Sequence, residues 1–211
     1  MREARLIGQQ ERTKHNDCGA GRFGAGASDA IRDRDDVMKL IRRVRALLLT
    51  PRSEWKAIER EPKTPSDLLI DYVAILAAIP EVARFIGQSF VGDYAPIVPS
   101  LVRMVVVYLL TFVMVYIIAC VINVLAPRFG GRKNFDNALK LSVYSHTPLW
   151  LAGIFLLIPG LNFLLILGVY GLYLFWIGLP LLIQVPDDKA LPYAAVATGC
   201  ALVPALVLAI L

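Results

Sequence analysis

A long uncharged stretch dominates the hydrophobic pattern of this chain. Residues 141–186 contain no Asp, Glu, Lys or Arg across 46 consecutive positions. An α-helix rises about 1.5 Å per residue and the hydrocarbon core of a bilayer is roughly 30 Å thick, so about 20 residues cross it. The stretch is too long for one crossing and suits two, and Pro159-Gly160 favours a turn between them. It predicts a helical hairpin in a membrane, with spans over 141–158 and 161–183.

Three further apolar segments complete the pattern of an all-α integral membrane protein. Residues 104–127 and 190–211 are uncharged, and each is long enough for one crossing. Residues 68–91 are also apolar, but they contain a proline and ionisable side chains that are costly inside a bilayer. Hydropathy alone leaves this segment either spanning or interfacial. Its ionisable side chains are Asp71, Glu81 and Arg84.

The distribution of charge decides between these two possibilities. Of the 22 Lys and Arg residues, 15 fall in residues 1–67, and a second basic cluster follows residue 127. Basic loops remain on the cytoplasmic side of a membrane, and both basic regions lie on that side only if 68–91 crosses. We therefore predict five transmembrane helices, with the N-terminus in the cytoplasm and the C-terminus outside. The second cluster comprises Arg128, Arg132, Lys133 and Lys140.

The N-terminal region differs from the rest of the chain. Residues 1–37 are polar and glycine-rich and lack hydrophobic periodicity, which is typical of a disordered extension. Met38 opens a basic and hydrophobic sequence that reads like a natural N-terminus, so we expect translation to begin there. Residues 38–66 are predicted to form a cytoplasmic region of one short amphipathic helix and a second helix that starts at Pro51 and contains Trp55.

The amphipathic helix is the candidate functional surface. Apolar residues from Leu40 to Leu48 lie on one face and basic residues occupy much of the remainder. A helix of this kind lies in the membrane interface with its apolar side down, and tryptophan favours the same depth. Anionic lipid headgroups are the expected partner; nucleic acid is disfavoured, because no basic patch is interleaved with aromatic residues. The alternative is a helix packed on the protein's own core. The candidate surface residues are Lys39, Arg42, Arg43, Arg45 and Trp55.

Polar side chains within the predicted spans form a second set of candidates. Glu81 and Arg84 are three residues apart, so they share a helix face and can pair. His146 lies beside Ser145 and Thr147 near the inner end of a span. These groups either line a polar route through the membrane or serve as structural pairs. The set comprises Asp71, Glu81, Arg84 and His146.

The sequence offers no constellation for catalysis or cofactor binding. Its three cysteines are widely spaced and make neither a disulfide framework nor a zinc motif. Residues 19–24 match the dinucleotide fingerprint as a string, but neither the preceding strand nor the following helix is present. We therefore expect no enzyme activity, no metal and no cofactor.

Small residues recur at four-residue spacing in the last predicted span. Within a bilayer, such residues let helices approach closely. They predict a helix-contact face, used either within one chain or in a homo- or hetero-oligomer. The residues are Ala190, Ala194, Ala195, Ala197, Gly199, Ala201 and Ala205.

The segment from Leu48 to Ile58 reads Leu-Leu-Thr-Pro-Arg-Ser-Glu-Trp-Lys-Ala-Ile and precedes five predicted spans with a basic second loop. With Asp-Lys-Ala at 188–190, this layout over residues 38–211 resembles the bacterial branch of the Yip family, membrane proteins named in eukaryotes for interacting with Ypt/Rab GTPases. The resemblance implies five helices in a bacterial inner membrane, a cytoplasmic N-terminus and no catalytic residues. The Asp-x-Tyr-Gly-Pro motif of eukaryotic members is not found, and Asp-Tyr-Ala-Pro at 93–96 is a superficial likeness on the other side of the membrane.

Two functions follow as hypotheses. The first is a non-enzymatic membrane protein that acts through helix association and through contacts with the inner leaflet or other proteins, in membrane organisation or a trafficking-like process. The second is a small channel or transporter component, which requires the polar candidates to converge inside one bundle.

Overall fold

The computed structural model describes residues 34, 36–92 and 94–210, with side chains described up to residue 202. Within these residues the chain forms helices joined by short loops and no strand, which confirms the all-α prediction. Most of the predicted extension over 1–37 lies outside the described residues. Contacts divide the chain into two compact units, Met1–Arg43 and Val44–Leu211, and the packing below is that of the second unit.

Seven helical segments occupy the described part of the chain. Two short ones come first: α1 over residues 36–49 and α2 over Pro51–Arg60. α3 runs through Pro65–Leu68, Leu69–Val73, Ala74–Ile86 and Gly87–Val91, of which the second and fourth parts are π-helical. α4 covers Ile97–Leu125 and ends in a 3₁₀ turn, Ala126–Phe129. α5 covers Phe135–Ala152 and continues as a 3₁₀ segment, Gly153–Leu157. A second 3₁₀ segment, Pro159–Val169, leads into α6, which covers Tyr170–Leu182. The last helix, α7, covers Asp187–Ile210.

The helical segments from α3 to α7, with the 3₁₀ segments that extend α5 and precede α6, overlap the five predicted apolar spans, and the turn between α5 and α6 falls at Ile158. Among the described residues, Ile97–Phe129 and Pro159–Leu182 are long and apolar enough to cross a bilayer by length and composition. Crossing by all five segments stays a prediction. The backbone around the turn is 3₁₀ rather than α-helical, in a stretch where proline and several glycines lower helix propensity.

The surface of α4 is apolar on several sides. Val102, Leu109 and Val113 each expose more than half of their surface, at 58%, 58% and 52%. A contiguous exposed apolar surface is uncommon in a protein surrounded by water. The helix is therefore suited to contact with lipid along much of its length.

Local sequence signals set the ends of the shorter helices. Proline occupies the first turn of α2 and of α3, where its missing N–H is not needed. The Thr64 hydroxyl accepts a hydrogen bond from the N–H of Asp67 at 3.2 Å, and Asn134 Oδ1 accepts one from the N–H of Asn137 at 3.1 Å. These N-caps begin α3 and α5 at the residues where their apolar faces start.

A close backbone approach holds α3 against the 3₁₀ segment after α5. A Cβ atom at Gly87 would collide with the carbonyl oxygen of Leu156, and one at Gly153 would collide with Pro80. Glycine is required at both positions because backbone occupies the space a side chain would take. This contact brings the last turns of α3 to the turn between α5 and α6.

Candidate functional site

The helix α2 is docked on the bundle by Trp55, whose side chain is fully buried. Its indole meets the ring of Tyr144 edge-on, with centroids 6.2 Å apart. A Cβ atom added at Gly178 would lie 3.0 Å from the indole, so the absence of a side chain there leaves room for the ring. The indole therefore belongs to the packed core and is not exposed to a lipid surface, unlike the other predicted surface residues.

A second attachment of α2 comes from Lys140, a buried residue of α5. Its Nζ donates hydrogen bonds to the carbonyl oxygens of Ile58, at 3.2 Å, and Glu61, at 2.6 Å. Carbonyl groups at a helix C-terminus lack intrahelical partners and carry partial negative charge. Lys140 therefore caps α2, whereas the sequence suggested only a basic connector.

Tyr144 continues this contact into the bundle. Its ring packs against Tyr72 of α3 with centroids 4.8 Å apart, and the Tyr72 hydroxyl shares a 2.9 Å hydrogen bond with Thr147. Both tyrosines are buried. The position of α2 is thus set by Tyr144 and Lys140 of α5 and by the space at Gly178 of α6, and Tyr72 of α3 supports Tyr144 from behind.

The outward face of α2 carries Arg52 and Lys56, both exposed and one helical turn apart. They line a cavity of about 450 Å³ with Trp176 and Pro180 of α6 and with Asp187 at the start of α7. Two cations thus face one carboxylate across a cavity with an apolar wall. Sequence reasoning missed this site; the i, i+4 spacing of the two basic residues was the available signal.

The predicted basic surface lies on α1. Arg42 and Arg45 are exposed and Arg43 is half-buried. Lys39 Nζ pairs with Asp36 Oδ1 at 2.9 Å, and both side chains are exposed. Membrane contact by these residues stays a prediction.

The end of α1 packs on the protein core. Leu47 is fully buried, and the Tyr170 hydroxyl donates to the carbonyl oxygen of Leu48 at 3.0 Å. The alternative of a helix packed on the protein's own core therefore holds for this C-terminal part of α1. It is the more N-terminal basic residues that stay exposed.

The polar candidates of the spans occupy three places, one of which Glu81 and Arg84 share. Asp71 is exposed on the π-helical part of α3. Glu81 is buried and lies within the electrostatic reach of Arg84, as predicted, and of Arg103 on α4. His146 Nδ1 lies 2.7 Å from the carbonyl oxygen of Ser142. His146 and Arg84 line two different cavities.

His146 lines a small cavity of about 130 Å³ between α4, α5, α6 and α7. Ser145 and Thr198 also line it, and its remaining walls are mostly apolar. The His146 ring lies 5.9 Å from that of Trp150. Among the described residues, no group of three or more His, Cys, Asp and Glu side chains could hold a metal ion.

The small residues of α7 divide between two faces. Ala190 and Ala197 are buried in the chain's own packing, whereas Ala195 and Gly199 are exposed. The first face serves contact within the chain. Oligomerisation through the second face stays a prediction.

The helices expose apolar surfaces, and the charged side chains lie outside the most apolar segments. These features are typical of a helical membrane protein. The family model for the Yip1 domain matches residues 45–210. The chain therefore belongs to the Yip1 family of membrane proteins, which confirms the resemblance seen in its sequence.

Relatives agree with this assignment. Inner membrane protein YohC of Escherichia coli K12 is 26% identical to the chain over 157 residues, which are 69% of this chain and 80% of that protein. YohC of Escherichia coli O6:H1 matches with the same values. No solved structure matches the chain.

Proposed function

We propose that this chain is a non-enzymatic, five-span protein of a bacterial inner membrane that binds anionic lipid headgroups of the cytoplasmic leaflet. The N-terminus is cytoplasmic and the C-terminus is outside. The binding surface is the cavity beside α2, and the basic face of α1 is proposed as a separate lipid contact. Through this surface and through helix association, the protein organises lipid or partner proteins in its membrane.

The observation that carries the proposal is the pair Arg52 and Lys56 at the 450 Å³ cavity. Two cations one turn apart suit a phosphate group, and the opposite wall, with Trp176 and Pro180, is apolar. A phospholipid has both parts, a charged headgroup and an acyl chain. Asp187 offsets only one of the two positive charges, so an anionic lipid is favoured over a neutral one.

The basic residues of α1 add to the same attraction. Each Lys or Arg near an anionic bilayer contributes about 1 kcal/mol, and the contribution falls off within a Debye length. Lys39, Arg42, Arg43 and Arg45 are not buried. Because α1 precedes α2 directly in the chain, both basic segments are proposed to meet the cytoplasmic leaflet.

The dispersal of Asp71, Glu81, Arg84 and His146 favours this proposal over a channel or transporter. A polar route needs such groups to converge along one path. His146 lines a cavity that includes none of the other three. The electrostatic influence of Arg84 and Arg103 on the buried Glu81 is a local interaction that needs no polar route.

Removal of the two cations tests the proposed function. The purified chain in neutral detergent is titrated with phosphatidylglycerol, and bound lipid is counted by native mass spectrometry. With about 1 kcal/mol for each cation, R52Q/K56Q is expected to weaken binding by about thirtyfold. Phosphatidylcholine serves as the neutral reference lipid.

The matched control is R132Q/K133Q, which removes the same charge from an exposed connector outside the cavity. We expect this variant to bind phosphatidylglycerol nearly as the unmodified chain does. Equal weakening in both double variants would mean that net charge, and not the cavity, governs the affinity, and the proposal would fail.

A further inference from the structure

A second charged cluster, formed by Glu81, Arg84 and Arg103, lies near the C-terminal end of α3, away from α2. Arg84 is about 24 Å along the helix axis from the start of the apolar span at Leu68. The close approach at Gly87 brings this part of α3 to the turn between α5 and α6. A cavity of about 250 Å³ is lined there by Arg84 and Gln88 of α3 and by Pro159, Asn162 and their apolar neighbours.

The cluster carries an excess of positive charge. Glu81 is buried, and the two cations acting on it are Arg84 and Arg103. Two guanidinium groups and one carboxylate leave a net charge of +1 within this cluster. Both arginines are half-buried, and an anion in the cavity that Arg84 lines would offset this excess of positive charge.

Several hydrogen-bond donors of the cluster lack a partner in the described part of the chain. They include the buried Nε atoms of Arg84 and Arg103 and the hydroxyl of Ser89. A buried donor without a partner is unfavourable, and such groups are often satisfied by a ligand or by water. Of these residues, Arg84 lines the cavity, so unused hydrogen-bonding capacity lies at the cavity wall.

Gln88 presents a further donor to the cavity. Arg103 Nη1 donates a hydrogen bond to Gln88 Oε1 at 3.3 Å. Because an arginine side chain only donates, the bonded atom is the amide oxygen, and the NH₂ group of Gln88 is left for another acceptor. The ligand-facing chemistry is a guanidinium and two amides, which suits anionic oxygen atoms.

We propose that the cavity between Arg84, Gln88 and Asn162 is an anion site that takes a singly charged phosphate group. A phosphodiester headgroup matches the net charge of the cluster, and the adjoining Leu156, Pro159 and Leu165 provide apolar contact for the rest of a lipid. Water alone fits the space, since each water needs about 30 Å³, but it leaves the positive charge unbalanced. This site is independent of the cavity beside α2.

The experiment uses the full chain carrying R52Q/K56Q, so that lipid bound beside α2 is reduced. Phosphatidylglycerol binding is measured by native mass spectrometry. Loss of one charge-assisted contact in R84Q is expected to weaken it about tenfold or more. N162D places a negative charge at an exposed position without changing the side-chain shape, and a similar weakening is expected there. R128Q removes an exposed arginine outside the cluster and is expected to leave the affinity within about twofold.

Competition with millimolar inorganic phosphate distinguishes the source of the phosphate group. Displacement of phosphatidylglycerol supports a site for phosphate itself, whether free or in a lipid. Binding that resists phosphate but depends on Arg84 and Asn162 supports a lipid headgroup as the ligand. If R84Q and N162D both bind phosphatidylglycerol as R128Q does, the anion site is refuted.

Discussion

Replacing Trp55 with alanine is expected to lower the free energy of unfolding by about 3–5 kcal/mol, the usual range for a large aromatic residue removed from a core. Trp55 is fully buried and meets Tyr144 edge-on. An edge-on aromatic pair adds about 0.5–1.5 kcal/mol beyond burial. The indole N–H has no hydrogen-bond partner in the described part of the chain, so packing accounts for the loss. Denaturant titration in mixed micelles measures the change.

Trp176→Ala is the matched control for this variant. This substitution also removes a tryptophan side chain, but Trp176 lies on α6 and is 43% exposed. Its loss is expected to change the free energy of unfolding by less than about 1 kcal/mol. Equal destabilisation by the two variants would contradict the role of Trp55 in docking α2.

Replacing Lys140 with methionine is the second large expected effect. Methionine keeps most of the side-chain volume but removes the charge and both hydrogen bonds to the C-terminal end of α2. A hydrogen bond made by a charged group contributes about 1.5–3 kcal/mol, and the desolvation of Lys140 in the native state offsets part of it. We expect a net loss of about 2 kcal/mol. Hydrogen exchange of the α2 amides should accelerate at the same time.

Lys133→Met provides the comparison, because Lys133 is exposed on the connector before α5. It changes net charge equally and should leave exchange in α2 unaltered. If Lys140→Met also leaves that exchange unaltered, the cap does not hold the helix. Trp55→Ala and Lys140→Met together test whether α2 is held both by its buried tryptophan and by the lysine at its C-terminal end.

Much of the fold could be predicted from the sequence because membrane segments follow a one-dimensional rule. Uncharged length indicates the apolar helices, and Pro159-Gly160 indicates the turn between two of them. The start of α2 at Pro51 and the exposure of Arg42 also follow from local pattern. Each of these features depends on neighbours in sequence.

The features that sequence reasoning missed depend on tertiary contacts. Lys140 and Ile58 are 82 positions apart, so nothing local marks the lysine as a helix cap. Tryptophan is a residue type typical of membrane interfaces, and Trp55 becomes a core residue only because Gly178 leaves space for its ring. Glu81 and Arg84 could be paired from their spacing, whereas the contribution of Arg103 required the packing of α4 on α3.

The central claim is that the Arg52 and Lys56 cavity faces the cytoplasmic leaflet, with the far end of α3 on the opposite side. Single cysteines at Lys56 and at Tyr94, which is 78% exposed, are introduced into a chain without its three native cysteines. A membrane-impermeant maleimide is then added to intact cells. We expect labelling at position 94 only, with position 56 labelled after the membrane is permeabilised. Labelling of position 56 in intact cells would contradict this claim.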